Sequence, residues 1–274
     1  NTNKNATMRA TLEPFKDLLI DLNFSRTNSD NISEYFKRPS SNSGFEHLSR
    51  MEFGTFTTSY IPIKTSFIPL EPNAFSETFV QFAQYRETIS KRLGDVNPNS
   101  IGEFSDSLPN YSMGYGPFST DVLIPSFLAA YGGKDPNTVG LGLPINQFPL
   151  PNWRVTYNGL TKIAWAKKIW SAVNISHAYN STLSIATFSS SLDFVGASGD
   201  EVSFPSKIDS LSGNFISYYD IPAISITEQF APLIGIDMTW KNSLTTKFEY
   251  KRSRNLSMSF LDYQLTESRS QEIT

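Results

Sequence analysis

The sequence predicts an all-β protein of long, two-faced antiparallel strands interrupted by one helix- and loop-rich insertion. Three observations lead there. Apolar residues recur with period two in segments of residues 1–70 and 151–274. The positions between them are mostly Asn, Ser, Thr, Asp and Lys. Between about 71 and 150 the alternation gives way to helical spacing and Gly/Pro-rich runs.

Composition narrows the class. The chain has 274 residues, of which 18% are charged, against roughly 25% in a typical soluble domain. Aromatic residues make up 14%, with 21 Phe and 12 Tyr. A net charge of −3 argues against a nucleic-acid partner. The absence of cysteine excludes thiol catalysis, disulfides and Cys-ligated zinc. No window reaches the ~18 consecutive apolar residues of a helical membrane span. The richest run, Val122 to Tyr131, is too short and contains Pro125.

The strands follow in order. Leu18, Ile20, Leu22 and Phe24 alternate with Leu19, Asp21, Asn23 and Ser25. The run PLPNWRVTYNGL (149–160) sets Trp153, Val155 and Tyr157 on one side and Asn152, Arg154, Thr156 and Asn158 on the other. Val173 and Ile175 alternate, as do Leu183 and Ile185, with a turn expected around Tyr179-Asn180-Ser181. Ile234, Ile236, Met238 and Trp240 precede a tight turn at Lys241-Asn242-Ser243. Residues 244–267 read as almost continuous strand, with KRSR in the middle, and SRSQEIT as a polar stretch outside any strand.

Two helices are predicted in the insertion. Over 76–93, Phe75, Phe79, Phe82, Ile89 and Leu93 fall at helical spacing; Ser76 caps the start and Gly94 ends it. The second covers roughly 120–131, capped by Ser119 or Thr120 and stopped by Gly132-Gly133. A short helix near 162–170 would place Trp165 and Ile169 on one face.

Catalytic chemistry is sparse. His47 and His177 lie in separate segments, and no HExxH motif occurs. The GASGDE run around Ser198 is not a nucleophile elbow, and GLGLPI lacks the third Gly of a dinucleotide loop. Asp135-Pro136-Asn137 reads as a plain turn. No cofactor or metal is implied.

Strands of about 10 residues, apolar on one face and polar on the other with aromatics near their ends, fit a transmembrane β-barrel. Trp153, Tyr157, Trp170, Trp240 and Tyr250 would then be interfacial aromatics, and Asn152, Arg154, Thr156 and Asn158 pore-facing. A soluble β-sandwich, such as a glycan-binding or polysaccharide-processing domain, also alternates. The pattern alone leaves both readings open.

Several motifs in fixed order add a resemblance. FVQFAQYRETISKRLG, DVLIPSFLAAYGGK, PLPNWRVTYNGL, KIWSAVNISHAYNSTLSIATF and FEYKRSRNLSMSFLDYQLTES together resemble the SprA (Sov) family, the outer-membrane translocons of type IX secretion in Bacteroidetes. The resemblance covers most of 75–190 and again 240–268. It implies a piece of a much larger chain that forms part of a very large antiparallel transmembrane β-barrel. It also implies a wide polar pore for folded cargo proteins, outer-membrane lipid around the barrel, a smaller PorV-like barrel partner, a periplasmic plug protein, and no catalysis. The 71–150 insertion is expected outside the lipid, within or at one mouth of the barrel.

Overall fold

The computed structural model describes residues 1–38, 40, 44–70, 74–196 and 203–274; Ser198 and its neighbours lie outside them. All the strands among the described residues belong to one antiparallel sheet. Its strands are β1 (Thr2–Phe15), β2 (Leu18–Lys37), β3 (Glu46–Ser59), β4 (Asn152–Tyr157), β5 (Trp170–Ser190), β6 (Tyr219–Asp220), β7 (Ala223–Trp240), β8 (Thr245–Ser259) and β9 (Leu265–Ile273). The order is β1-β2-β3-β5-β7-β8-β9, with β4 between β2 and β5 and β6 beside β5. Among the described residues the sheet is open, since β1 pairs only with β2 and β9 only with β8. No described helix is long and apolar enough to cross a membrane.

One strand position is split. β4 pairs with β2 over Leu18–Asn23 and with β5 over Ile175–Tyr179. β3 pairs with β2 over Arg26–Lys37 and with β5 over Thr182–Ser189. The two short strands therefore lie end to end between the same two long ones. The chain leaves the sheet after Ser59 and returns at Asn152, and the whole insertion leaves through this break.

A break inside a sheet exposes backbone donors and acceptors that must find partners. Side chains and neighbouring loops supply them here. Ser181 N–H donates to Asn152 Oδ1 at 2.8 Å, and Tyr60 N–H donates to Ser181 O at 3.2 Å. Ser59 Oγ donates to Leu150 O at 2.6 Å and accepts from Ser25 N–H at 3.2 Å. Leu150 N–H returns to Ser59 O at 3.1 Å.

The insertion holds α1 (Glu77–Val96) and α2 (Thr120–Gly132). Ser76 caps α1 by accepting from Phe79 N–H at 3.2 Å. Gly94 does not end this helix, which runs on to Val96. A Cβ there would come within 2.3 Å of Ser112 Oγ, so Gly94 permits a close crossing of the chain. α2 starts at Ser119, which makes no side-chain cap, and ends at Gly133 with φ +60°, the left-handed turn that glycine adopts without steric cost. Every residue of α2 from Val122 to Gly132 is buried, as its all-round apolar sequence requires. Phe82, Phe127 and Leu128 join Phe56, Leu183, Ile185, Ile224, Ile226, Leu256 and Met258 of the sheet in one core, with Phe79 packed against it. The expected helix near 162–170 is a 3-10 turn (Gly159–Lys162) followed by a short α3 (Ala166–Ile169).

Three further expectations change. β5 runs unbroken through Asn180 and Ser181, because alternation there continues with polar residues on both faces. Residues 244–267 divide into β8 and the start of β9, separated by a turn in which Tyr263 has φ +53°. SRSQEIT is mostly strand: β9 alternates Leu265, Glu267 and Arg269, so hydropathy does not reveal it. The insertion packs on the apolar face of the sheet, through Phe56, Leu183, Ile226 and Leu256.

Phe127→Ala removes a ring that is fully buried between sheet and helix. A loss of about 3–5 kcal/mol is expected. Hydrogen exchange of the full-length protein should quicken in α1 and α2 while the β7–β8 ladder at 234–250 is unchanged. Exchange at the parent rate in both helices would contradict this packing.

Candidate functional site

The pleat register makes the two faces of the sheet chemically different from edge to edge. On one face Asn5, Thr27, Thr57, Ser184, Ser225, Ser257 and Thr266 stand side by side across seven strands. None of the seven is buried. Neighbours bond laterally, as Thr57 and Ser184 hydroxyls do at 3.3 Å and Thr227 Oγ1 to Asn255 Oδ1 at 3.2 Å. Leu19, Met51, Phe53 and Tyr35 are among the large apolar and aromatic residues on this face.

The opposite face has two zones. The insertion covers the first. The second is an apolar band that no described element covers. Phe15, Leu18, Tyr157, Ile175, Ile236 and Phe248 form one continuous row across it. Phe15 is 58% exposed, Ile234 49% and Phe248 42%. Isolated exposed apolar residues are ordinary, but a contiguous sheet-wide row is a surface built for an apolar neighbour.

Aromatic clusters bound the band. At one end Trp170 packs against Trp240 at 5.7 Å and Trp165 at 5.8 Å. At the other, Trp153 stacks on Tyr179 at 4.3 Å, and Tyr179 meets Phe230 at 4.9 Å. Trp170 and Tyr179 are nine residues apart on β5. At ~3.3 Å per residue that is about 30 Å along the strand.

The predicted site residues divide accordingly. Trp153, Trp170 and Trp240 lie in the two clusters. Tyr157 and Tyr250 lie between them, paired with Ile175 and Ile234. Arg154 and Thr156 stand on the polar face, beside Asp21 and Leu19. Asn152 is on that side but is buried, because its side chain closes the strand break. Asn158 is not on the strand; it begins the 3-10 turn after β4, and its N–H donates to Asp17 O at 3.1 Å. His177 sits in the band facing Phe230, and its Nδ1–H donates to Leu233 O at 2.7 Å. That carbonyl lies in the irregularity of β7 between Phe230 and Ile234, so His177 replaces a lost ladder bond.

A buried charge cluster at the boundary between the two zones escaped sequence analysis. Glu228 and Arg254 pair at 3.0 Å and are almost wholly buried. Ser66 Oγ and Tyr179 OH donate to Glu228 at 2.6 and 2.7 Å. Arg254 donates to Thr65 Oγ1 at 3.1 Å and Pro62 O at 3.3 Å. Arg252 donates to Ser66 O at 2.8 Å and lies over the Phe67 ring. Together they hold segment 62–67 down on the sheet. The signal was present in KRSR: Arg252 and Arg254 share their face with Leu256 and Met258.

Among the described residues no group of His, Asp and Glu is placed to hold a metal. No known family model and no curated protein matches this chain.

Two predictions follow from these charges. Arg254→Met strands Glu228 without its partner and should cost about 3–5 kcal/mol. Glu228→Met with Arg254→Met should cost less than the single change, read as protease resistance of segment 60–70. Equal losses would mean that Glu228 left without Arg254 carries no penalty.

Asp121, at the start of α2, is crowded by protein atoms. That burial raises its carboxyl above the ordinary value, against the opposing hydrogen bond from Ser217 Oγ at 2.9 Å. The fold thus holds the proton more tightly than the unfolded chain, and stability falls as pH climbs from 3.8 through the raised value. Asp121→Asn should melt higher than the parent at neutral pH, and the gain should vanish below pH 3.8.

Proposed function

We propose that this chain is a segment of the wall of a protein-conducting outer-membrane β-barrel of the kind the SprA family builds. The observation that carries this reading is the pairing of an edge-to-edge Ser/Thr/Asn face with an uncovered apolar band between two aromatic clusters. The band then faces lipid, with Trp153 at one interface and Trp170 and Trp240 at the other. A tilted strand of about 9–11 residues spans a bilayer, which matches the separation of the clusters. The polar face lines a wet pore, whose hydroxyls and amides hold water and offer a folded cargo protein little to adhere to.

Backbone groups in hydrocarbon must all be paired, so an open sheet cannot stand alone in a membrane. Both β1 and β9 present one unpaired edge among the described residues. Further strands of a larger barrel would pair them. On this reading the insertion lies on the outer side of the wall, beyond the lipid band. It braces the wall there and offers a surface to a PorV-like partner. The chain carries no catalytic step; the barrel supplies a hydrated route, and other components select the cargo and supply the energy.

The rival reading, a soluble glycan-binding or polysaccharide-processing domain, needs a second layer over the apolar band. Cysteines placed singly at 153–157 separate the two. Positions 154 and 156 should react with a water-soluble probe in the membrane-embedded protein, and 153, 155 and 157 should be protected. Val155→Arg with Ile175→Arg places charge on the band at roughly 2–4 kcal/mol per mid-membrane residue, and should block assembly. A double-Arg protein that assembles and secretes normally would end the lipid-facing reading.

A further inference from the structure

The ladder of β1 and β2 changes character abruptly on its apolar face. Leu12 and Ile20, Ala10 and Leu22, and Met8 and Phe24 are successive apolar pairs. The next pairs bring Arg26, opposite Ala6, and then Lys4, opposite Asn28. Beyond Phe24 the sheet and the insertion enclose a trough of about 1030 Å³, lined by Lys4, Arg26 and Asn28 on the sheet side and by Asp121, Leu143 and Tyr218 on the other.

Three polar groups in the trough have unmet capacity. Its carboxylates are already engaged. Asp30 accepts from Asn28 Nδ2 at 2.7 Å, Glu52 accepts from Arg50 at 3.1 Å and from Tyr219 OH at 3.2 Å, and Asp121 accepts from Ser217 Oγ at 2.9 Å. Lys4 and Arg26 have no carboxylate partner among the described residues; Arg26 lies only over the Phe56 ring, at 5.9 Å. Asn28 is 4% exposed, and among the described residues no group donates to its Oδ1. The bond to Asp30 fixes the amide orientation, since the carboxylate can only accept. A buried acceptor without a donor is costly, and a ligand hydroxyl would satisfy it.

We infer that this trough binds the phosphorylated sugar headgroup of an anionic glycolipid. Lys4 and Arg26 hold a phosphate, Asn28 Oδ1 accepts from a sugar hydroxyl, and the acyl chains run down Met8, Phe24 and Leu12. The apolar-to-cationic order along one ladder matches the order of tail and headgroup in such a lipid. The inference rests on the reading of the band as lipid-facing.

Native mass spectrometry of the detergent-purified full-length protein tests it, with bis-phosphorylated lipid A, phosphatidic acid, phosphatidylcholine and inorganic phosphate as probes. Lipid A should bind best. Lys4→Gln with Arg26→Gln should weaken it by about tenfold or more, because charge-assisted bonds to phosphate are lost. Arg26→Lys in place of Arg26→Gln should restore part of the binding. Asn28→Leu should remove the preference for lipid A over phosphatidic acid. Unchanged binding in the double Gln variant would overturn the site. Equal binding of phosphatidic acid by the parent would overturn the sugar assignment, and displacement by inorganic phosphate the lipid assignment. Protection of cysteines at 153, 155 and 157 in the same preparation shows separately whether the band reading stands. Protein that stays dispersed without detergent would instead sink that reading itself.

Discussion

The architecture depends on closing one broken strand. A sheet whose third position is filled by two short strands must satisfy the backbone groups at their junction. Ser59, Asn152 and Ser25 do so together with the Tyr60 and Leu150 backbone. Without that closure the break would leave β2 and β5 with unpaired groups in their middle, where a long strand tolerates them least. With it, the chain can leave the sheet, build two helices, and re-enter in register. Asn152 resembles an ordinary polar-face residue in the sequence, yet it belongs to the seam.

The location of the break determines what the insertion can cover. The chain emerges on the apolar face, so α2 buries itself over Phe56, Leu183, Ile226 and Leu256 and leaves the lower band bare. The polar face receives nothing from it. A helical layer on that face would have had to bury rows of hydroxyls, each needing a new hydrogen-bond partner. The same asymmetry supports the proposal that the Ser/Thr face lines water and the bare band meets lipid, with the insertion outside the wall.

Legibility in the sequence followed the strength of the local signal. Period two marked β4 and the regular parts of β2, β7 and β8, because one face of each is apolar. Helical spacing and the Ser76 cap located α1, and paired glycines located the end of α2. β1 and β9 were not legible: both are edge strands whose alternation mixes charges with small residues. Asn180 and Ser181 suggested a turn because turn propensity is local, whereas pairing with β7 on one side is not. The split strand depends on contacts between Ser59 and Leu150, 91 residues apart, and no local pattern encodes it.

The Glu228–Arg254 pair explains how two environments share one face. Below it the face is bare and apolar; above it the face is a protein core. Neither surrounding solvates an ion pair. The pair therefore sits at the step between them, where segment 62–67 folds over it and the Ser66, Thr65 and Tyr179 hydroxyls and the Pro62 carbonyl complete its hydrogen bonds. The energetic return on a buried pair is small once desolvation is counted. Its stronger effect is positional, because an ion pair tolerates displacement far less than an aliphatic contact does. A slip of segment 62–67 by one residue would leave Arg254 facing apolar groups, so the pair fixes where the insertion begins and hence how much of the band stays uncovered. On the membrane reading, that fixed line is where the wall stops meeting lipid.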